Sequence, residues 1–167
     1  MKNINKKNVL TKLNLGCGND YMKGWTNLDI LDVKTDVSHN LNKFPWPFKN
    51  NTFNEILMKS VLEHVDDPIK TLKEAARVGK NGAKITVIVP HANCYAAVTD
   101  IQHKTFFTEN SFENNLLIEY GLNKLKLIRK ELLFRHKWKE HILFRKQLKI
   151  FINGLFEDLL FEFEVNK

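Results

Sequence analysis

Leu13-Asn14-Leu15-Gly16-Cys17-Gly18-Asn19 is the stretch that decides how this chain folds. Residues 9–15 alternate in polarity and predict a β-strand, and the Gly-Cys-Gly that follows predicts a tight turn. Gly16 and Gly18 carry no Cβ, so the backbone there turns sharply and a ligand can approach it closely. Outward from the turn, residues 25–30 predict a second short strand with Asp29 at its tip. An ionised carboxylate offers two acceptor oxygens, which suits the paired hydroxyls of a ribose. In open parallel sheets, ligands sit beyond the carboxyl ends of the strands, near the point where strand order reverses. The three-glycine dinucleotide pattern is not met, because Tyr21 stands where the third glycine belongs.

The rest of the chain extends this βα alternation. A loop over 36–48 contains Pro45-Trp46-Pro47, and residues 53–58 alternate as a strand. Asp66-Asp67-Pro68 opens a helix, with Ile69, Leu72, Ala75 and Ala76 at helical spacing, and Lys80-Asn81-Gly82 is expected to close it. Residues 83–89 are apolar and β-branched and predict a buried strand. A polar loop over 91–104 follows, then a helix over 108–120 stopped by Gly121. Residues 122–134 suit a strand in part, 135–149 fit either helix or loop, 151–160 predict a helix, and 160–165 a last strand. The order argues for an open, mostly parallel sheet covered by helices.

Composition sets the outer limits. The 167 residues fit one domain, 1–167, with 43% hydrophobic and 27% charged residues. No run of about 18 apolar residues predicts a membrane span. The polar stretch Met1–Lys7 lacks the apolar core of a signal peptide, and two cysteines, Cys17 and Cys94, suggest no disulfide framework, so the cytoplasm is the expected location. The net charge of +7 is uneven: residues 123–149 hold ten Lys/Arg against Glu131 and Glu140. This basic segment reads either as a solvated face or as a surface for an anionic partner through Lys124, Lys126, Arg129, Lys130, Arg135, Lys137 and Lys139.

Taken in order, residues 13–19, 24–29, 40–48, 61–68, 77–82 and 89–91 resemble the class I S-adenosylmethionine (SAM)-dependent methyltransferases, and within them the small type 11 group. The resemblance covers roughly residues 11–112. It implies an α/β, Rossmann-like, open and mostly parallel sheet with helices on both faces and an antiparallel last strand, and SAM as cofactor. It puts Gly16 and Gly18, in one turn with Leu15 and Cys17, under the methionine and ribose of SAM. It gives the ribose hydroxyls to Asp29, the border of the adenine to Asn40 and Leu41, and the neighbourhood of the reactive methyl to Ser60, Val61 and His64. Two departures stand out. Asn40 replaces an Asp that related sequences often carry, and only 11 positions separate Gly18 from Asp29, so a loop with Tyr21 and Trp25 takes the place of a full helix.

Methyl transfer from a sulfonium demands positioning above all, and a base only where the acceptor must lose a proton. His91, directly after the fifth strand, and His103, with Asp100 to orient it, are the candidate catalytic residues; loop-stabilising roles for them remain the alternative. Asp100-x-x-His103-Lys104-x-Phe106-Phe107 resembles a stretch of the type 11 group. His91, Cys94, Asp100 and His103 are ligand-capable types, but no scaffold accompanies them, and no residue is assigned to a metal. The segment after the fourth strand reads Lys59-Ser60-Val61-Leu62, which does not resemble the motif of nucleobase amino methylation. The expected function is methyl transfer to an oxygen or nitrogen of a small molecule: a sugar, glycan precursor or secondary metabolite. A second subunit, as in a homodimer, is one source of the acceptor site. The alternatives are a nucleic-acid or protein methyltransferase docking through the basic segment, and a non-catalytic SAM-binding partner protein.

Overall fold

The computed structural model describes residues 11–134 and 157–167. Its strands are β1 (Lys12–Leu15), β2 (Thr26–Asp29), β3 (Val37–Ser38), β4 (Phe53–Lys59), β5 (Gly79–Pro90), β6 (Leu125–Leu133) and β7 (Asp158–Val165). Its helices are α1 (Pro68–Val78), α2 (Tyr95–Thr99) and α3 (Asn114–Glu119). One seven-stranded sheet has the order β3-β2-β1-β4-β5-β7-β6. The pairs among β1 to β5 are parallel, and β7 runs antiparallel to both of its neighbours. The strand order reverses at β1, so the carboxyl ends of β1, β2 and β4 frame the ligand crevice.

Cross-strand partners lie on the same face of a sheet. The register aligns Leu28, Leu15, Met58, Val87 and Phe161 across five strands, with Leu13, Ile56, Ile85 and Phe163 one step away. All of them are buried. They form one core cluster with Leu72, Ala75, Ala76 and Val78 of α1 and with Phe112 and Leu117 near α3. Phe112 meets Phe161 and Phe163 edge-on, at centroid distances of 4.9 and 5.4 Å. The opposite face differs. Lys12 pairs with Glu55 at 3.0 Å, and Lys84 and Arg129 converge on Glu162 at 3.3 and 3.7 Å. The alternation in β4, β5 and β7 therefore reflects one apolar and one charged face.

Helix α1 begins where the sequence predicts. Asp67 accepts a hydrogen bond from the Lys70 N–H at 2.8 Å, and Pro68 fills the first helical turn without needing a donor. Its end is earlier than expected. Gly79 closes it, and Lys80-Asn81-Gly82 already belongs to β5, with Gly82 at φ +73°. The helix expected over 108–120 shrinks to α3, because Phe107–Phe112 is laid against the sheet by its rings. The loop over 91–104 contains α2, and the loop over 36–48 contains β3. Residues 158–160, expected to end a helix, are strand, because they pair with β5 and β6. The rest of that expected helix, 151–156, and the segment 135–149 lie outside the described residues.

A buried ion pair ties the loop before β4 to α1. Glu74 accepts from the Trp46 backbone N–H at 2.6 Å and from two Arg77 nitrogens at 2.8 and 2.7 Å. Arg77 also donates to the Phe48 and Trp46 carbonyls, and the Trp46 indole N–H to the Leu41 carbonyl at 3.1 Å. The segment that ends at Leu41 is thereby held by the core. Burial pushes the Glu74 carboxyl upward in pKa, but the bonds from Arg77 and from Trp46 outweigh it, and the group sits below its ordinary value of 4.5. A depressed carboxylate contributes stability above its unfolded pKa and loses it as pH falls through the folded value. Glu74→Gln is expected to cost about 1.5–3 kcal/mol at neutral pH. The gap between wild type and variant should narrow below about pH 4.5, as urea unfolding across pH would show.

Candidate functional site

The turn after β1 is built by backbone geometry. Gly16 and Gly18 have φ of +61° and +48°, in the left-handed region where a Cβ is costly. A Cβ on Gly16 would stand 2.5 Å from Cγ2 of Val61, so the turn and the segment after β4 are in closest contact there. A Cβ on Gly18 would meet nothing within 4 Å. The space above Gly18 is open, and the turn cradles a cavity rather than packing against protein.

The loop that replaces a helix between β1 and β2 is pinned from below. Asn27, fully buried, donates to the Met22 and Trp25 carbonyls at 3.0 Å and to Asp36 at 2.9 Å, and accepts from the Met22 N–H at 2.9 Å. Asn14 adds bonds to Asn27 and to the Asp20 carbonyl. Side-chain amides do here what helix packing would otherwise do.

Asp29 closes the other side. One carboxylate oxygen accepts from the Gly18 N–H at 2.7 Å, and the other from the N–H groups of Ile30 and Leu31 at 2.7 and 2.9 Å. The side chain is thus fixed by three backbone donors before any ligand arrives, and acceptor capacity remains on the oxygen bonded to Gly18.

That cleft has a volume of about 600 Å³. Gly16, Gly18, Asp29, Asn40, Leu41, Ser60, Val61 and His64 all line it. Two other residues of the expected set do not. Leu15 is fully buried in the apolar face of the sheet, and Cys17 lines a separate cavity of about 380 Å³ with Asp20, Tyr21 and Met22. Burial and the charge of Asp29 raise the Cys17 thiol above its ordinary pKa, which suits a packed residue. The Asn40 side-chain oxygen accepts from the Asn42 N–H at 2.9 Å, an Asx turn that orients it. Ser60 has φ +53° and turns the chain out of β4 toward the cleft.

The candidate catalytic residues separate. His91 is buried away from the cleft lining. Its Nδ1 accepts from the Asn93 N–H at 3.0 Å and its Nε2 lies 3.1 Å from Glu109, so both nitrogens are engaged in holding the loop. His103 lies behind His64, with ring centroids 4.7 Å apart. Its Nδ1 donates to the Ala97 carbonyl at 2.8 Å, and Asp100 is 3.9 Å from its Nε2, too far for a hydrogen bond. Burial, and then the neighbouring His103, lower the His64 pKa below its ordinary value. Ile101, Gln102 and Lys104 reach the cleft from the same loop, and Ile30, Leu31 and His39 from the other rim. Sequence reasoning did not single these out as lining residues; exposed apolar residues next to Asp29 and Asp100 were the available signal.

The basic segment is partly neutralised within the chain. Arg129 pairs with Glu131 and Glu162, and Lys130 lies 3.7 Å from Glu113. Lys124 and Lys126 are the other described basic residues of this set; Arg135, Lys137 and Lys139 fall outside the described residues. Among the described residues no helix is long and apolar enough to cross a membrane.

Comparison with known proteins agrees with this fold. The methyltransferase domain family matches residues 25–87. An uncharacterized protein of Methanocaldococcus jannaschii is 37% identical over 98 residues, spanning 51% of this chain and 42% of that protein's length. Among solved structures, a SAM-dependent methyltransferase of Archaeoglobus fulgidus superposes with a TM-score of 0.65 at 11% identity, covering 95% of this chain and 87% of that one. A complex between the Haloferax volcanii Trm112 methyltransferase activator and a methyltransferase gives a TM-score of 0.60 at 16% identity, covering 95% and 84%. The fold is that of the class I methyltransferases, with the antiparallel β7 in the expected place. The domain match bears out the resemblance to the type 11 group, and SAM is the expected cofactor of this fold.

Proposed function

We propose that this chain binds SAM in the cleft beyond β1, β2 and β4 and transfers its methyl group to an oxygen or nitrogen of a small-molecule acceptor. The observation that carries the reading is Asp29, which lines the cleft beside the glycine turn and is held there by the Gly18, Ile30 and Leu31 N–H groups. SAM supplies an already activated methyl group, so the chain's task is to orient and to exclude water. Asp29 orients the ribose, Asn40 and Leu41 border the adenine, and Gly16 and Gly18 let the methionine end lie against the backbone. Ser60 and His64 then mark the reacting end. His103 acts through His64 on this side, and His91 holds the loop. Ile101, almost fully exposed at 97%, offers an apolar rim to the acceptor. Docking of a large polyanion is the weaker reading, because Arg129 and Lys130 already lie against acids. Both Cys17 and Cys94 are free and buried, which suits a cytoplasmic setting.

A thermal-shift titration tests the cofactor. Ligand at about 100 times its Kd adds about 2.7 kcal/mol, which for this size raises the Tm by about 5–10 °C. SAM and its demethylated product should give saturable shifts and NAD none. No shift with millimolar SAM or product would overturn the proposal.

A further inference from the structure

Glu63, His64 and His103 come from two segments about 40 positions apart in sequence and meet in one place. One ligand-capable atom from each lies within 4.8 Å of the others. Glu63 and His64 follow β4; His103 follows α2. The backbone stitches the two segments together, for the N–H groups of Lys104 and Thr105 donate to the Glu63 carbonyl at 2.7 and 3.3 Å. We propose that these three side chains form a binding site for a divalent transition-metal ion, open toward the cleft that His64 lines.

The histidines are arranged as ligands are. A metal-bound imidazole uses one nitrogen for the ion and donates the other N–H to a carbonyl or carboxylate, which fixes its tautomer. His103 donates from Nδ1 to the Ala97 carbonyl at 2.8 Å, and the His64 ring meets the His103 ring at a centroid distance of 4.7 Å. The Nε2 of His103 therefore keeps its lone pair. Glu63 is 1% exposed and the His103 side chain 7%, so the cluster is a built interior feature and not a solvated surface group. The local charge favours a cation. Glu63 and Asp100 contribute carboxylates, and Lys104, the nearby base, is turned to Asp66 at 2.5 Å. Two imidazoles and one carboxylate with an open position suit Zn²⁺, Co²⁺, Mn²⁺ or Fe²⁺ better than Mg²⁺ or Ca²⁺, which prefer all-oxygen shells. Bonds of about 2.0–2.1 Å bring tetrahedral ligands to about 3.4 Å apart. Binding therefore requires the three atoms, now within 4.8 Å of one another, to draw together by up to about 1.4 Å. The site stands on this geometry alone; that its open position would face an acceptor atom rests on the methyl-transfer reading.

The test uses the full chain, stripped of metal and free of SAM, titrated with Co²⁺ and followed by visible absorption, with Zn²⁺ as competitor. One equivalent should saturate the signal. His64→Ala and His103→Ala should each weaken binding by about 100-fold or more, since even removal of an outer partner costs about 10–100-fold. Glu63→Gln, which keeps the shape, should weaken it too. On the wild-type protein, Zn²⁺ should move the ring ¹⁵N signals of His64 and His103 and leave the other four of the six histidines in place. Failure to saturate at millimolar Co²⁺, binding unaffected by the substitutions, or unmoved ring signals would overturn the proposal and leave a hydrogen-bonded triad. A chain that binds Co²⁺ but gives no thermal shift with SAM would overturn the cofactor reading and keep this one.

Discussion

Gly16→Ala is expected to remove about 2–5 kcal/mol of stability and to abolish the response to SAM in the protein that still folds. Two costs add. A left-handed backbone at a residue with a Cβ costs about 1–2 kcal/mol, and Gly16 has φ +61°. The new methyl would also stand 2.5 Å from Val61 Cγ2 and 3.3 Å from Cγ1, an overpacking worth about 1–3 kcal/mol. Relief of that contact would push either the glycine turn or the start of the segment after β4 into the cleft. Gly18→Ala is the matched control, since its φ is +48° and its Cβ would meet nothing, leaving only the backbone cost of about 1–2 kcal/mol. Urea unfolding of the two variants separates the effects. Adding Val61→Ala to Gly16→Ala should recover part of the loss, a coupling that a double-mutant cycle reads directly. Equal destabilisation by the two glycine substitutions would show that the Val61 contact does not hold the turn in place.

The parts of this fold that were legible in the sequence are those whose determinants are local. The β1 strand, its glycine turn and the acid at the tip of β2 lie within 18 consecutive residues, Lys12 to Asp29. The α1 start was legible because Asp67 and Pro68 carry a capping chemistry that works over three residues. Its end was not, because Lys80-Asn81-Gly82 has the composition of a turn, yet it lies inside β5, in the irregularity between the Phe53–Gly79 and Glu55–Lys84 pairs. Residues 108–120 have helical spacing, but Phe112 lies edge-on to Phe161 and Phe163 and Phe107 stacks on Phe112, which holds the start of this stretch on the sheet. The candidate site divides the same way. Asp29 and the glycines needed no tertiary knowledge. Leu15 and Cys17 sit in the same motif, but alternation turns their side chains away from the cleft. The meeting of His64 with His103 depends on two loops converging beyond β4 and β5, and Glu63 drew no notice because one buried acid in an apolar stretch has no pattern of its own.

Asp29→Ala should weaken SAM binding by about 100-fold while leaving most of the fold intact. A hydrogen bond to a charged group is worth about 1.5–3 kcal/mol, and about 1.4 kcal/mol is tenfold in affinity. One ribose contact therefore accounts for about 10–100-fold. The rest comes from the loop, because the carboxylate also fixes the Gly18, Ile30 and Leu31 N–H groups, and without it the cleft must be ordered at the moment of binding. Asp29→Asn separates the two contributions. An amide keeps one acceptor oxygen, so it can serve either Gly18 or the Ile30–Leu31 pair, but its NH₂ then points donor to donor at the other. The amide should bind SAM almost as poorly as the alanine variant, although it differs from wild type by a single group. Calorimetric titration with SAM and with the demethylated product reads both affinities. The product, which keeps the ribose and lacks the methyl, should lose as much as SAM does. A loss confined to SAM would place Asp29 at the methyl end of the ligand, and an Asp29→Ala chain that binds within about threefold of wild type would reverse the cofactor's orientation in this cleft.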